Sequence, residues 1–356
     1  MSPLAPTLKT TMLAGINMAM RLCGTPQGYA ILYYHRLTTD WMDCRLLPSL
    51  YTHVGRMREQ LLGLRRHAEV ISLAELHERM SQGHEPRGLC VSVTFDDGYA
   101  DNLRLGLPVL RDTGVPATLF VSTGFVDDPA IVPWWDMNFQ AARAAVASMV
   151  RFRDNGFSWC FDTRSLRGRH RLLWAMNAVT LRRCMENGGR ASSVAEELFP
   201  EMARPERNGF SSWDELRRAS DDGLLTIGSH TVNHPVLSAC ADWGSVELAA
   251  SKARLESELQ KPVTLFAYPF GGPAHIPGDV EEQLARHGFR LAVTTTPGLN
   301  HCASDRYRLQ RVSVHGNDDV GSLLAKIKSA ALRDHARRLL PEAMEMFEAG
   351  RRRRTC

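Results

Sequence analysis

Leu89-Cys90-Val91-Ser92-Val93-Thr94-Phe95-Asp96-Asp97-Gly98-Tyr99 is the stretch that decides how this chain is read. Its first seven residues are mostly apolar or β-branched, which predicts a buried strand. The strand ends on two adjacent carboxylates. Like charges a few ångströms apart resist joint ionisation unless a cation or hydrogen-bond donors compensate. Asp-Gly by itself favours a plain turn. Here the turn at Asp97-Gly98 can also rotate both carboxylates toward one centre.

Two later strand ends match this one. Ile227-Gly228-Ser229-His230-Thr231-Val232-Asn233-His234-Pro235 follows a strand expected over 224–228 and carries histidines at i and i+4. Such a pair suits one metal ion, and Pro235 argues against a long helix, so the motif is expected on a short turn. With one carboxylate from the earlier strand end, two imidazoles make a ligand set that leaves positions open for water and substrate. Val263-Thr264-Leu265-Phe266-Ala267 is a third short apolar run, closed by Tyr268-Pro269-Phe270-Gly271-Gly272. Its proline and glycines predict a tight loop whose backbone N–H groups can serve a developing oxyanion.

Strand-like and helix-like segments alternate along the chain. Strands are expected over 30–34, 69–71, 89–95, 117–121, 224–228, 263–267, 290–294 and 309–314, with amphipathic stretches over 101–112, 246–260 and 279–287. Ser72-Leu73-Ala74-Glu75 and Ser212-Trp213-Asp214-Glu215 read as capping boxes. Such alternation implies an α/β fold with parallel strands wrapped by helices. In a barrel of that kind active sites form at the C-terminal ends of the strands, where every candidate residue falls. The gap of about 133–211 breaks the alternation and is read as a helical insertion, with helix-like stretches at 141–151 and 169–186 and loop residues Asp154-Asn155-Gly156 between them. Trp134 and Trp135 open it. Their indole faces are suited to stacking on a sugar ring, and anchoring the insertion to the barrel is the alternative.

The three strand-end segments, in this order, resemble the motifs of the polysaccharide deacetylase family, carbohydrate esterase family 4 with its NodB-homology domain. The resemblance implies a distorted (β/α)7-8 barrel and metal-dependent removal of acetyl groups from N-acetylated sugars. By that resemblance Asp97, His230 and His234 are the metal ligands. Asp96 is the general base and the Phe270 N–H is the oxyanion donor. Beside them, Tyr268, Trp134 and Trp135 are the candidate substrate contacts in this sequence. Two imidazoles and a carboxylate favour Zn2+, while Co2+, Ni2+, Mn2+ and Fe2+ fit the same ligands. The chain departs from the family pattern at Ala267, where the third motif usually carries an arginine that orients the base; Arg311 is the candidate replacement. The fourth motif has no counterpart in Leu291–Thr296. For the histidine acid of the fifth motif, His315 and His35 compete, since each closes a strand. An O-acetyl esterase or deformylase acting on a glycan, or an inactive glycan-binding module, are the alternative functions.

Other features narrow the classes. A net charge of +4 over 356 residues gives no case for nucleic-acid binding. No Gly-x-Ser-x-Gly elbow supports a serine hydrolase. The eight cysteines show no CxxC or zinc-knuckle spacing, which predicts free thiols in a reducing compartment. Asn17 and Arg21 interrupt the apolar run Met12–Cys23, which makes a poor signal or membrane-spanning segment. The organisation expected is an N-terminal amphipathic helix over 1–28, the barrel over 29–317, and a C-terminal helix with a basic tail over 318–356. Cytoplasmic work on an acetylated oligosaccharide or lipid-linked intermediate follows. The N-terminal helix and the run Arg351-Arg352-Arg353-Arg354 suit peripheral contact with an anionic membrane at its inner face; a solvated tail is the alternative.

Overall fold

A computed structural model of the protein describes residues 26–146, 149–199 and 209–339. The segment over 8–23 and the basic run over 351–354, on which membrane contact was expected, lie outside the described residues. Among the described residues no helix is long and apolar enough to cross a membrane.

The strands, in chain order, are β1 (Gly28–Tyr34), β2 (Arg36–Thr38), β3 (Tyr51–His53), β4 (Glu69–Val70), β5 (Leu89–Phe95) and β6 (Ala117–Val121). They continue with β7 (Met149–Asp154), β8 (Phe157–Asp162), β9 (Leu225–Ser229), β10 (Leu265–Ala267), β11 (Leu291–Val293) and β12 (Val312–Ser313). Eight of them form one sheet in the order β11-β10-β9-β6-β5-β1-β12, with β4 on β5, and every pairing in it is parallel. The sheet curls into a half-barrel with helices around it. Leu309, just ahead of β12, bridges Val293 of β11 and so draws the two edges together.

Alternation along each strand sorts residues between two apolar layers. Tyr29, Ile31, Cys90, Phe120, Leu265, Ala267, Leu291, Val293 and Leu309 meet inside the curl. Their neighbours in sequence, such as Leu32, Val91, Val93, Leu119, Phe266 and Ala292, face the helices. That outer layer receives Leu61 and Leu64 from Val54–His67, Leu255 from Ala250–Leu259, Leu284 from Val280–Arg286 and Ile327 from Val320–Leu339. Gly228 is required inside the curl, because a Cβ there would lie 2.5 Å from the Phe120 ring.

Ser212 and Glu215 form the reciprocal cap expected of them. Ser72 accepts the Glu75 N–H at 3.0 Å, but the Glu75 carboxylate turns to Arg79 at 2.6 Å. A cation one turn on competes for it, and only half of that box forms. The ladder expected over 309–314 shrinks to Val312–Ser313.

The insertion differs from its expected all-helical form. Its first helix, Trp134–Ala144, stops short, and the chain then makes an antiparallel hairpin of β7 and β8. Asn155 and Gly156 are its turn, with φ of 47° and 79°. Positive φ at both central residues is what a tight hairpin twist demands, and Asn-Gly supplies it. The helix Leu166–Glu186 follows, and Val150, Phe152, Phe161, Leu172 and Met176 close a second small core against Cys44, Leu46 and Tyr51.

Candidate active site

Asp96 stands one residue beyond β5 and follows Cys90 and Thr94 on the inner face by alternation. Asp97 comes next, with φ of 76°, and Gly98 follows at 87°. Two left-handed residues in a row reverse the chain and bring both carboxylates to the mouth of the curl. A non-glycine residue there is strained, a state found chiefly where function requires it.

His230 leaves β9 on the same inner face. Its Nδ1 lies 2.7 Å from the Ala267 carbonyl oxygen. A carbonyl only accepts, so Nδ1 carries a proton and Nε2 is the ring nitrogen turned toward the centre. Thr231 and His234 both have positive φ, 70° and 53°, so the two imidazoles converge through a strained loop rather than a helical turn. Asp97 Oδ1 lies 3.4 Å from Nε2 of each histidine. The three ligand atoms stand within 4.8 Å of one another.

The chemistry of this trio fits a divalent cation. Asp97 Oδ1 is buried with no hydrogen-bond partner among the described residues. Burial pushes the His234 imidazolium down to about 3 against the pull of Asp97, which leaves a neutral ring with a free lone pair. Burial alone would raise Asp97, but the polar surroundings that His230, His234 and His35 provide hold its carboxyl well below the usual range. An anionic oxygen and two imidazole nitrogens therefore face one centre.

Asp96 is clamped. Arg311 donates from Nη1 to Oδ1 and from Nη2 to Oδ2, each at 2.8 Å. Its Nε donates to the Thr294 carbonyl at 2.7 Å, its Nη1 also reaches Thr94 Oγ1 at 3.2 Å, and the guanidinium lies 4.4 Å over the Tyr33 ring. Burial opposes ionisation of Asp96, and the Arg311 charge outweighs it, so the carboxyl stays below its ordinary range. Ala267 lies on the inner face of β10, and the guanidinium absent there arrives from the segment that enters β12.

His35 and His315 also reach this mouth. With Tyr33, Trp135, Asn177 and Ser313 they line a cavity of about 250 Å³. Among the described residues His35 Nδ1 is buried without a hydrogen-bond partner, and the ring contributes to the lowering of both Asp96 and Asp97. His315 is anchored by its backbone N–H to Asp318 at 2.8 Å.

Trp135 packs its ring 4.6 Å from that of His234, and Phe270 packs 4.8 Å from it on another side. Trp134 stacks on Phe270 at 6.1 Å. Both tryptophans and His234 line a cavity of about 440 Å³ with Arg190, Glu196 and Asn233. Tyr268 does not join them, contrary to the expectation of a substrate contact. It falls on the helix-facing side of β10's alternation, is buried, and donates its hydroxyl to the Tyr307 carbonyl at 2.7 Å.

A polar network behind Trp135 has no counterpart among the residues expected from sequence. Trp135 Nε1 donates to Tyr99 Oη at 2.8 Å, and Tyr99 donates to Asp136 at 3.1 Å. Arg36 pairs with Asp136 at 3.4 Å and with Asp101 at 3.1 Å, and lies over the Tyr51 and Tyr99 rings. Arg36 directly follows the candidate His35, the single clue that the sequence offers to it.

The polysaccharide deacetylase family model matches residues 83–292. YxkH of Bacillus subtilis (strain 168), provisionally named a polysaccharide deacetylase, is 23% identical over 236 residues. That alignment covers 66% of this chain and 55% of YxkH, so the chain spans about half the length of this relative. Among solved structures, the Streptococcus pyogenes deacetylase PplD, in complex with acetate, superposes with a TM-score of 0.56 at 19% identity, over 85% of this chain and 99% of that one. IcaB from Ammonifex degensii gives 0.52 at 20% identity, over 86% and 99%. These likenesses bear on the fold. With the family model covering more than half of its length, the chain belongs to the polysaccharide deacetylase family.

Proposed function

We propose that this protein hydrolyses the acetamido group of an N-acetylated sugar, within an oligosaccharide, polysaccharide or lipid-linked glycan, and releases acetate. The observation that carries the proposal is the buried trio Asp97, His230 and His234 standing beside an Asp96 that Arg311 holds in one orientation. A divalent cation held by that trio, Zn2+ by its ligand preference, would polarise the amide carbonyl and acidify a water molecule.

The chain's own residues supply the rest. Asp96, kept ionised and oriented by Arg311, accepts the proton of the attacking water as its oxygen bonds to the acetyl carbon. The Phe270 N–H donates to no group among the described residues and is the oxyanion donor. The nitrogen of the breaking C–N bond leaves as an amine and needs a proton. His35 is the better donor of the two histidines, because among the described residues its ring nitrogen is buried and unpartnered and the ring is felt electrostatically by both carboxylates. Trp134 presents its indole face to a sugar ring in the 440 Å³ cavity, and Trp135 backs the wall of that cavity against His234.

Mass spectrometry of N-acetylated and O-acetylated oligosaccharides tests this reading. Loss of acetyl from the N-acetylated substrates, abolished by exhaustive chelation and restored by Zn2+ or Co2+, is the expected outcome. Release from O-acetyl esters alone, or activity undiminished after chelation, would overturn it.

A further inference from the structure

Glu247 lies outside every motif discussed above, yet its carboxylate is buried, with 2% of the residue exposed. It sits in a seven-residue π-helical stretch, Trp243–Ala249, ahead of the helix Ala250–Leu259. Such widened turns recur at functional sites, where they re-aim a side chain. The Glu247 side chain turns to the loop that carries the metal-ligand candidates.

One carboxylate oxygen, Oε2, accepts the backbone N–H groups of Val232 at 3.0 Å and Asn233 at 2.8 Å. The other, Oε1, accepts the Asn233 side-chain amide at 2.9 Å and Arg190 at 2.7 Å. Val232 and Asn233 are the two residues between Thr231 and His234, both of which are left-handed. A loop with strained residues at either end persists only where its surroundings over-determine it. Other ties run from the Thr123 N–H to the Thr231 carbonyl, 3.1 Å, from the Gly124 N–H to the Val232 carbonyl, 2.8 Å, and from the His234 N–H to Thr231 Oγ1, 3.0 Å. Among the described residues, Glu247 is what hydrogen-bonds the backbone N–H groups in the middle of the loop. Its charge is balanced by Arg190, which comes from the insertion and lines the 440 Å³ cavity.

We infer that Glu247 is a positioning residue for the metal site: by holding Val232 and Asn233 it sets where His234 stands relative to His230 and Asp97, with Arg190 as its counter-ion. The inference rests on the metal-site reading above. It also ties the insertion to the metal site through an ion pair, since Arg190 belongs to one and the His230–His234 loop to the other. Outer partners of this kind typically govern metal affinity by 10–100-fold.

The test uses Co2+ as the probe, with the full chain stripped of metal and titrated. Dissociation constants and visible d–d spectra at saturation are compared for wild type, Glu247→Ala, Glu247→Gln and Arg190→Met. Glu247→Ala is expected to weaken Co2+ binding about 10–100-fold and to change the spectrum of the saturated protein. Glu247→Gln keeps one acceptor for the loop but turns an amide toward Arg190, and should lose less. Arg190→Met changes a half-exposed side chain and should weaken binding severalfold even if both Glu247 variants fail to fold. Affinities within twofold of wild type and unchanged spectra, with only the metal-free melting temperature lowered, would overturn the inference and leave a purely structural role. Wild-type protein that binds no Co2+ would instead overturn the metal-site reading, and this inference with it.

Discussion

Arg311 and Asp96 meet through two parallel hydrogen bonds of 2.8 Å, with the arginine fully shielded from solvent and the aspartate nearly so. A planar fork matched to both carboxylate oxygens fixes rotation as well as charge. Arg311→Lys keeps the cation but not the fork, so kcat is expected to fall about 10–100-fold with little change in KM. Arg311→Met leaves a buried carboxylate unpaired and should cost about 3–5 kcal/mol of stability. Steady-state kinetics and urea unfolding check the pair. A lysine variant with wild-type kcat would show that orientation of Asp96 is unimportant.

Asp96→Asn keeps the shape of the side chain and removes its basicity. Turnover should drop about 10²–10⁴-fold, while Co2+ still binds the trio of Asp97, His230 and His234. Acetate release and a Co2+ titration on the same preparation separate the two effects. Retention of a tenth of the activity would remove Asp96 from the role of base.

The two tryptophans should respond differently. Trp135 is buried against His234 and bonded to Tyr99, so Trp135→Ala is expected to destabilise the protein by about 3–5 kcal/mol. Trp134 is only half-buried and stacks on Phe270, and Trp134→Ala should raise KM with a much smaller loss of stability. Thermal melts with KM measurements decide it. Equal losses of stability would make both indoles anchors.

Asp101 gives a pH dependence. Burial pushes its carboxyl up to about 6, against the pull of Arg36 and the Leu37 N–H. The folded value lies above the unfolded one, so this group's contribution is whole below about pH 4 and is lost as pH rises through about 6, by up to about 3 kcal/mol. The unfolding free energy of wild type minus that of Asp101→Asn, taken by urea titration at pH 4.5 and pH 7, should be larger at the lower pH. A difference that stays constant between the two would contradict this.

Much of this site can be read from strand periodicity. Asp96, His230 and Arg311 occupy the inner face because each continues an alternation that starts in an apolar strand, and His35 follows Tyr29 and Ile31 in the same way. The same rule places Tyr268 outside, since Leu265 and Ala267 already point in; the expected contact came from reading its loop without the register of the strand. The hairpin of the insertion was hidden because Ala141–Arg151 has helical composition, although Asn155-Gly156 carried the turn signal. Arg36, Tyr99 and Asp136 form no motif. They meet only after β1, β5 and the insertion have packed, and pairwise proximity of that kind leaves no periodic trace.

Arg311 is also a late-made member of the site, since Asp96, Asp97, His230 and His234 all precede it in the chain and only His315 of the candidate groups at the mouth follows it. A nascent polypeptide can assemble β1 to β11 around an Asp96 that still lacks its guanidinium. The Asp96 carboxylate is locked only when the segment entering β12 has left the ribosome and docked beside β1. Orientation of Asp96 therefore arrives together with closure of the sheet, and under the proposed function truncations ending before residue 311 are expected to be inert however much of the barrel they retain.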